Sequence, residues 1–263
     1  MPASGARNMA VDEAILESAG QGLVLPTLRL YAWQPACLSL GYAQSAGDVD
    51  FSALQTNGWD LVRRPTGGRA ILHSDELTYS VCGPVNERRL SGSLLESYQM
   101  LSTALLRALE LLAIPAQAMK KGSATTQQKA PNPVCFEVPS NYEITINGKK
   151  LIGSAQARRK EGILQHGSLP LKGDLSRIVQ ALAFPDPEQR RQAAERLLQR
   201  AATAEQALGT PPTWKQAAQA FANAFAEILN LEWVETPLTP SEHARAQRLY
   251  LEKYSNPKWT KKI

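Results

Sequence analysis

The spacing of apolar and polar residues predicts helices alternating with short strands over the first two thirds of the chain. Helices are predicted over residues 8–20, 48–56 and 94–112, and strands over 27–33, 37–42, 59–63, 70–72, 77–81, 142–146, 150–157 and 163–169. Gln34-Pro35 separates the first two strands, which could form a hairpin. Asn147-Gly148 is the strongest short-range hairpin signal in the chain, because both residues accept positive φ.

The remaining third has a different pattern. Helices are predicted over residues 175–183, 187–200, 213–229 and 240–254, with one strand over 231–235. Residues 116–133 are polar and aperiodic, which predicts a mobile loop. The sequence therefore predicts an α+β fold, a mixed or antiparallel sheet packed with helices and followed by a helical C-terminal segment.

Composition narrows the function classes. The 263 residues can bury a core, and a net charge of +5 with a pI of about 9.1 favours acidic partners. The three widely spaced cysteines predict neither a disulfide framework nor a metal site, and indicate the cytoplasm. No uninterrupted apolar run approaches membrane-helix length, so a soluble protein is expected.

Arg63-Arg64-Pro65-Thr66-Gly67-Gly68-Arg69 places two glycines among three arginines. Glycines let a ligand approach backbone N–H groups, and guanidinium groups bind carboxylate or phosphate oxygens. Arg64, Gly67, Gly68 and Arg69 are therefore candidate ligand-binding residues, although a turn with solvated arginines fits the residues equally well. His73 follows closely and is expected in the wall of a pocket rather than in the chemistry.

Cys135 and Lys150 form the second candidate group. An ammonium beside a thiol stabilises the thiolate and lowers the cysteine pKa from about 8.5, which would suit acyl transfer. From the residues alone, a buried structural cysteine and a solvated hairpin lysine are the commoner arrangement. Strand alternation predicts that Lys150, Ser154 and Gln156 share one face, with Gly153 leaving room for a ligand.

His166-Gly167 lies near the end of the strand predicted over residues 163–169. His166 could bind a thioester oxygen or cap the sheet, and the structural role is favoured. Together these motifs, with Asn8-Met9-Ala10-Val11-Asp12-Glu13 and Lys150…Gly153-Ser154-Ala155-Gln156, resemble the biotin/lipoate protein ligase and lipoyl-transferase superfamily, most closely its LipM-type octanoyltransferases. The resemblance runs from about Asn8 to Trp259.

The resemblance implies a catalytic domain over residues 8–235, with a C-terminal helical extension over 236–263 packed on it. It implies no metal and no cofactor, and an octanoyl group that passes from acyl carrier protein to Cys135 and then to a lysine of glycine cleavage H protein or another lipoyl domain. Lys150 matches the position whose ammonium lowers the cysteine pKa, and the arginine-glycine loop matches a segment bordering an apolar acyl tunnel. A further strand usually precedes the first helix in this family, so either the start of the chain is truncated or the sheet is shorter at that edge.

Three other functions stay open at this stage. An ATP-dependent lipoate-protein ligase would share the loop and the lysine but would have no need of Cys135. An amidotransferase that moves octanoyl between lipoyl domains would share all of them. A module that only binds acylated carriers would need no cysteine chemistry, while nucleic-acid binding lacks any recognisable motif. A monomer is the expected state.

Overall fold

The computed structural model describes residues 2–120 and 142–263. Its helices are α1 Gly5–Gly20, α2 Phe51–Thr56, α3 Leu94–Leu111, α4 Pro187–Arg200, α5 Ala204–Leu208, α6 Trp214–Leu229, α7 Pro240–Leu249 and α8 Pro257–Thr260. Its strands are β1 Thr27–Tyr31, β2 Cys37–Leu40, β3 Asp60–Arg63, β4 Ile71–His73, β5 Glu76–Gly83, β6 Gln117–Lys120, β7 Tyr142–Ile146, β8 Lys149–Arg159 and β9 Gly162–Pro170. The predicted α+β class is confirmed, with helices packed on two sheets in a single domain.

The larger sheet is antiparallel and has the strand order β1-β5-β9-β8-β7-β6. Side chains alternate between its faces, so on β5 Leu77 and Tyr79 pack with α3 and α6. The opposite face carries Thr78 and Ser80 and is covered by α1, which itself packs on α7. The cavity described below lies on this second face.

The expected hairpin between the first two strands is wrong. β1 pairs with β5 in the large sheet, whereas β2 lies in a separate sheet between β3, which is parallel to it, and β4, which is antiparallel. Leu38 and Leu40 on β2 are fully buried against α4 and the 3₁₀ segment Leu175–Gln180. The apolar side chains of β2 therefore need a core of their own, which a hairpin with β1 would not provide.

The predicted β7–β8 hairpin is confirmed, with Asn147 and Gly148 at positive φ in its turn. A β-bulge interrupts its register, because Thr145 pairs with Lys150 but Ile144 pairs with Ile152. The extra residue, Leu151, reverses the alternation on β8. Lys150 consequently does not share a face with Ser154 and Gln156, and that prediction is wrong.

Three further segments differ from the sequence prediction. Residues 231–235 form no strand: the chain runs back along α6, and the Trp233 indole donates to the Ala222 carbonyl. Residues 117–120 were expected in a loop but form β6 at the sheet edge. The rest of that expected loop, residues 121–133, lies outside the described residues, as does Cys135.

The last helical segments pack on α1 through an apolar cluster that includes Leu249 and Tyr254. They comprise α7, a π-helical turn over Tyr250–Tyr254 and α8. The division at residue 235 into a catalytic domain and an extension stays a prediction. Within the described ranges, no helix has the length and apolar character needed to cross a membrane.

Candidate active site

A small cavity lies between the two sheets, on the α1 face of the large sheet. Its lining comes from α1, both sheets and the arginine-glycine loop: Met9, Tyr31, Trp33, Ser39, Arg64, Ile71, His73, Thr78, Gly153, Ser154, Ala155, His166, Gly167 and Ser168. The described residues enclose about 20 Å³, which is room for about one water molecule. The described residues therefore form only a narrow space with a mixed apolar and polar wall here, and the acyl tunnel stays a prediction.

Asp12 anchors the floor of this site. Its carboxylate accepts hydrogen bonds from Arg29 at 2.7 Å, Tyr31 at 2.8 Å and Ser80 at 2.9 Å. Burial alone would raise the pKa of Asp12, but the Arg29 charge, the nearby His166 ring and the hydrogen bond from Tyr31 outweigh it and hold the pKa below its ordinary value. Asp12 is thus an ionised structural centre that joins α1 to β1 and β5.

His166 connects this centre to the arginine-glycine loop. Its Nε2 lies 2.6 Å from the Thr66 hydroxyl, and its Nδ1 lies 3.8 Å from Asp12. Burial lowers the pKa of His166, so the ring is neutral. With Nδ1–H directed at the carboxylate, Nε2 accepts from Thr66 and fixes the loop over β9.

His73 belongs to a second buried chain of hydrogen bonds. Its Nε2 lies 2.8 Å from the Ser39 hydroxyl and its Nδ1 lies 2.7 Å from Glu76. Trp33 stacks on the ring at 4.0 Å, and its indole N–H donates to Thr78. The structure places His73 in the cavity wall, held on both ring nitrogens.

Ser168 differs from its neighbours because its hydroxyl is unsatisfied. The residue is buried, lines the cavity and lies opposite Gly153 across the β8–β9 pair. Its Oγ has no hydrogen-bond partner among the described residues. A buried polar atom of this kind costs free energy unless a ligand supplies the missing bond.

Lys150 is buried near the start of β8, and the bulge turns it towards the cavity face. Its Nζ lies 3.4 Å from the Glu143 carboxylate of β7. Because Ile144 and Ile146 of β7 point into the α3–α6 core, Thr145 and its partner Lys150 point to the other side. The ammonium therefore shares a face with Gly153, Ala155 and Ser168.

The two arginines that open the glycine loop mainly hold protein backbone. Arg63 is fully buried, and its guanidinium donates to the carbonyls of Gly41, Tyr42, Gln44 and Thr260. Arg64 donates to the carbonyls of Ser39, Gly67 and Arg69, and to the Ser39 hydroxyl, while lining the cavity. Arg63, which was not among the candidate ligand-binding residues, therefore has a structural role, whereas the candidate Arg64 lies in the cavity wall.

An open groove of about 650 Å³ adjoins the cavity along the same loop and the same strand. It is lined by Tyr42, Ala43, Gln44, Pro65, Gly67, Gly68, Arg69, Gln156, Ala157, Arg158, Arg159, Lys253 and Trp259. Gly41 lets the arginine-glycine loop pack closely against the backbone that follows β2, because a Cβ at position 41 would meet the Gly68 carbonyl oxygen at 2.0 Å. The groove and the cavity are thus lined by neighbouring parts of the same loop and of β8, with no described lining residue in common.

Several candidates face the other side of the sheet. The Ser154 hydroxyl lies 2.7 Å from that of Tyr79, and the Gln156 amide donates to Ser97 and Gln165. At Gly167 a Cβ would lie 2.8 Å from the Tyr79 ring, so this glycine makes room for packing. Their side-chain positions indicate support for β8 and β9 rather than direct contact with a ligand.

Sequence reasoning found Lys150, His73, His166, Gly153 and the glycine loop, and the structure brings them to one side of the sheet. It missed Ser39, Glu76 and Glu143, which contact these side chains, and Ser168, whose hydroxyl has no hydrogen-bond partner among the described residues. Alternation along β9 places Ser168 on the same face as His166 and could have identified it. Cys135 stays a prediction, since it lies outside the described residues.

The amino-acid sequence is similar to those of known enzymes. The chain is 38% identical to octanoyltransferase LipM of Brevibacillus brevis over 260 residues, covering 97% of this chain and 94% of that protein. It is 40% identical to octanoyltransferase LipM of Symbiobacterium thermophilum, covering 97% and 93% respectively.

Among solved structures, a bipartite lipoate protein ligase of Thermoplasma acidophilum superposes with a TM-score of 0.80 at 26% identity, covering 99% of this chain and 93% of that one. A lipoate-protein ligase A bound with ATP superposes with a TM-score of 0.77 at 25% identity, covering 97% and 93%. A sequence profile of the lipoyl protein ligase A/B catalytic domain matches residues 4–226. The chain belongs to the lipoyl protein ligase A/B catalytic domain family.

Proposed function

We propose that this enzyme moves octanoyl from acyl carrier protein to Cys135 and then to a lysine of glycine cleavage H protein or another lipoyl domain. The enzyme is an octanoyltransferase of lipoate biosynthesis, and the proposal concerns its donor, its acceptor and its nucleophile. In the first step the Cys135 thiolate attacks the thioester carbonyl and the carrier thiolate leaves, taking up a proton. In the second step the acceptor amine attacks, the Cys135 thiolate leaves, and the amine loses a proton as the amide forms. Neither step consumes ATP.

The observation that carries the proposal is the buried ammonium of Lys150 on the cavity face of β8. A buried cation beside a reacting thiol favours the thiolate over the thiol. The same ammonium can donate to the carbonyl oxygen as negative charge develops on it. Glu143 holds the lysine in place in the free protein.

The other two cysteines are unsuited to this chemistry. Cys37 and Cys82 are buried, and each thiol lies 3.6 Å from a backbone carbonyl oxygen, of Leu38 and Asp12 respectively. Burial raises the pKa of both thiols well above the ordinary value, which keeps them protonated. Cys135 is the remaining cysteine of the chain.

The cavity must widen before it can hold an eight-carbon chain. Met9 lines it from α1, and methionine can adopt several rotamers with little loss of packing. Each methylene transferred from water into such a space contributes about 0.8 kcal/mol. Burial of the acyl chain can therefore supply the free energy for this rearrangement. Because that free energy grows with each methylene, the cavity would discriminate among acyl chains by their length.

Intact mass spectrometry after incubation with octanoyl-carrier protein and no ATP tests the proposal. We expect one octanoyl adduct on the wild-type protein and on Cys82→Ala, none on Cys135→Ser, and loss of the adduct in hydroxylamine. Lys150→Ala should slow alkylation of Cys135 at neutral pH. Lys149→Ala is the control and should leave the alkylation rate unchanged, because the Lys149 ammonium donates to the Leu198 carbonyl.

An unmodified enzyme that acylates H protein only with ATP and free acid would support a ligase instead. An adduct that forms only from octanoyl-H protein would support an amidotransferase. Full retention of transfer in Cys135→Ser would contradict the covalent step and leave a binding role. The cytoplasm and a monomeric state are part of the same proposal and rest on cysteine usage and on the family resemblance.

A further inference from the structure

Among residues 2–120 and 142–263, those that line the groove beside the cavity include four cationic ones, Arg69, Arg158, Arg159 and Lys253, and no aspartate or glutamate. Lys262 adds a fifth cation at its edge, with Nζ 3.5 Å from the centre of the Tyr42 ring and 4.0 Å from that of Trp259. So many like charges around one concave site repel each other in the free protein. An anion placed there would relieve that repulsion.

Some of these charges already have partners. Lys253 makes two 2.7 Å contacts with the buried Glu13 carboxylate, which also lies 3.8 Å from Arg159. Arg158 donates to the carbonyls of Leu90, Gly92 and Ser93. Arg69 has no ion pair or side-chain hydrogen bond in the part of the chain that the structure describes, so its guanidinium is available to a ligand.

The groove also has the size and the position for an elongated ligand. Its volume of about 650 Å³ lies within the roughly 300–1,000 Å³ typical of small-molecule sites. Loop residues Gly67 and Gly68 and strand residues 156–159 border it, while Arg64 and residues 153–155 border the cavity. A molecule with a phosphate at one end can therefore lie in the groove and extend along β8 into the cavity.

We propose that this groove binds the phosphodiester of the phosphopantetheine arm that carries the acyl group, with Arg69 as a direct phosphate ligand. The inference rests on the proposed carrier-protein donor and assigns a site to that donor. Guanidinium groups bind phosphate through paired N–H donors, and the exposed backbone of Gly67 and Gly68 allows close approach. The acyl thioester then lies towards the cavity, where Ser168 and Lys150 share one face.

The rate of Cys135 acylation from two small donors tests the assignment: octanoyl-pantetheine, which lacks the phosphate, and octanoyl-4′-phosphopantetheine. We expect kcat/KM for wild type to be about tenfold higher with the phosphate, the size of one charge-assisted hydrogen bond. Arg69→Gln should lower the ratio of the two kcat/KM values to about one, while Arg69→Lys should restore part of the preference for the phosphate-bearing donor. Arg191→Gln is the control, because it removes the same charge from the exposed helix α4 and not from the groove. It should keep the full preference for the phosphate-bearing donor.

Equal rates from the two donors, or an equal loss with both in Arg69→Gln, would overturn the assignment. So would Arg69-dependent binding of ATP in calorimetry without such binding of phosphopantetheine, which would mark a nucleotide site. Failure of the proposed function has a different signature, since Cys135 would then gain no octanoyl from either donor. A melting curve of Arg69→Gln matching that of wild type shows that the comparison is made on folded protein.

Discussion

Ser168→Ala is expected to stabilise the free enzyme while slowing acyl transfer. The Ser168 hydroxyl is buried without a partner among the described residues, and an unsatisfied polar group of this kind costs about 1–3 kcal/mol. Removing it should raise the free energy of unfolding by about 1 kcal/mol, after allowance for the small space left behind. For a chain of this size that is an increase of about 2–4 °C in Tm.

The effect on catalysis should have the opposite sign. An octanoyl thioester has one strong hydrogen-bond acceptor, its carbonyl oxygen. Ser168 lies on the same face of the sheet as Lys150 and pairs with Gly153 of the neighbouring strand. If the hydroxyl donates to that oxygen, its loss costs about 1 kcal/mol in the bound state, which is about a fivefold drop in kcat/KM. Thermal unfolding and the rate of Cys135 acylation measure the two quantities on the same preparation.

Ser80→Ala is the matched control, because the Ser80 hydroxyl is equally buried but donates to Asp12 at 2.9 Å. We expect it to lower Tm, since it leaves an ionised acceptor with one bond fewer. A Ser168→Ala protein that melts at or below wild type would refute the claim of an unsatisfied hydroxyl. Higher Tm with unchanged transfer would show that the hydroxyl does not contact the acyl group.

Two further predictions concern the scaffold. Gly167→Ala should lower the free energy of unfolding by about 1–3 kcal/mol, because the new methyl group would press on the Tyr79 ring and the Gly153 carbonyl. Chemical denaturation measures this loss, and an unchanged midpoint would contradict the packing argument. Burial lowers the pKa of His166, so its unfolded state binds more protons below about pH 6.5 and stability should fall as pH drops through that range. His166→Asn should flatten this part of the stability profile, and an identical slope in the variant would exclude His166 as its source.

The sequence predicted elements better than it predicted their partners. Local pattern was enough for α1, α3, α6 and the β7–β8 hairpin, because capping residues, periodicity and Asn147-Gly148 act within a few residues. It failed for β1 and β2, which are neighbours in the chain but join different sheets. Which edge a strand joins depends on long-range burial, and a short apolar run does not encode it.

The site shows the same limit. Simple alternation placed Lys150 with Ser154 and Gln156, yet one bulge residue reverses the face and directs the lysine to the cavity. The bulge has no signature in residues 149–152, where two lysines precede two apolar residues. Likewise, the adjacent Arg63 and Arg64 look equivalent, but the partners of Arg63 include Thr260, 197 positions away.

That pairing has a consequence for biosynthesis. Arg63 leaves the ribosome well before Thr260, and its buried guanidinium depends in part on the Thr260 carbonyl, 197 positions later in the chain. Trp259, which donates to the Arg63 carbonyl, is synthesised at about the same time as Thr260. A nascent chain can therefore begin to assemble its sheets before these two residues emerge, but the groove beside the cavity acquires its Trp259 wall only afterwards.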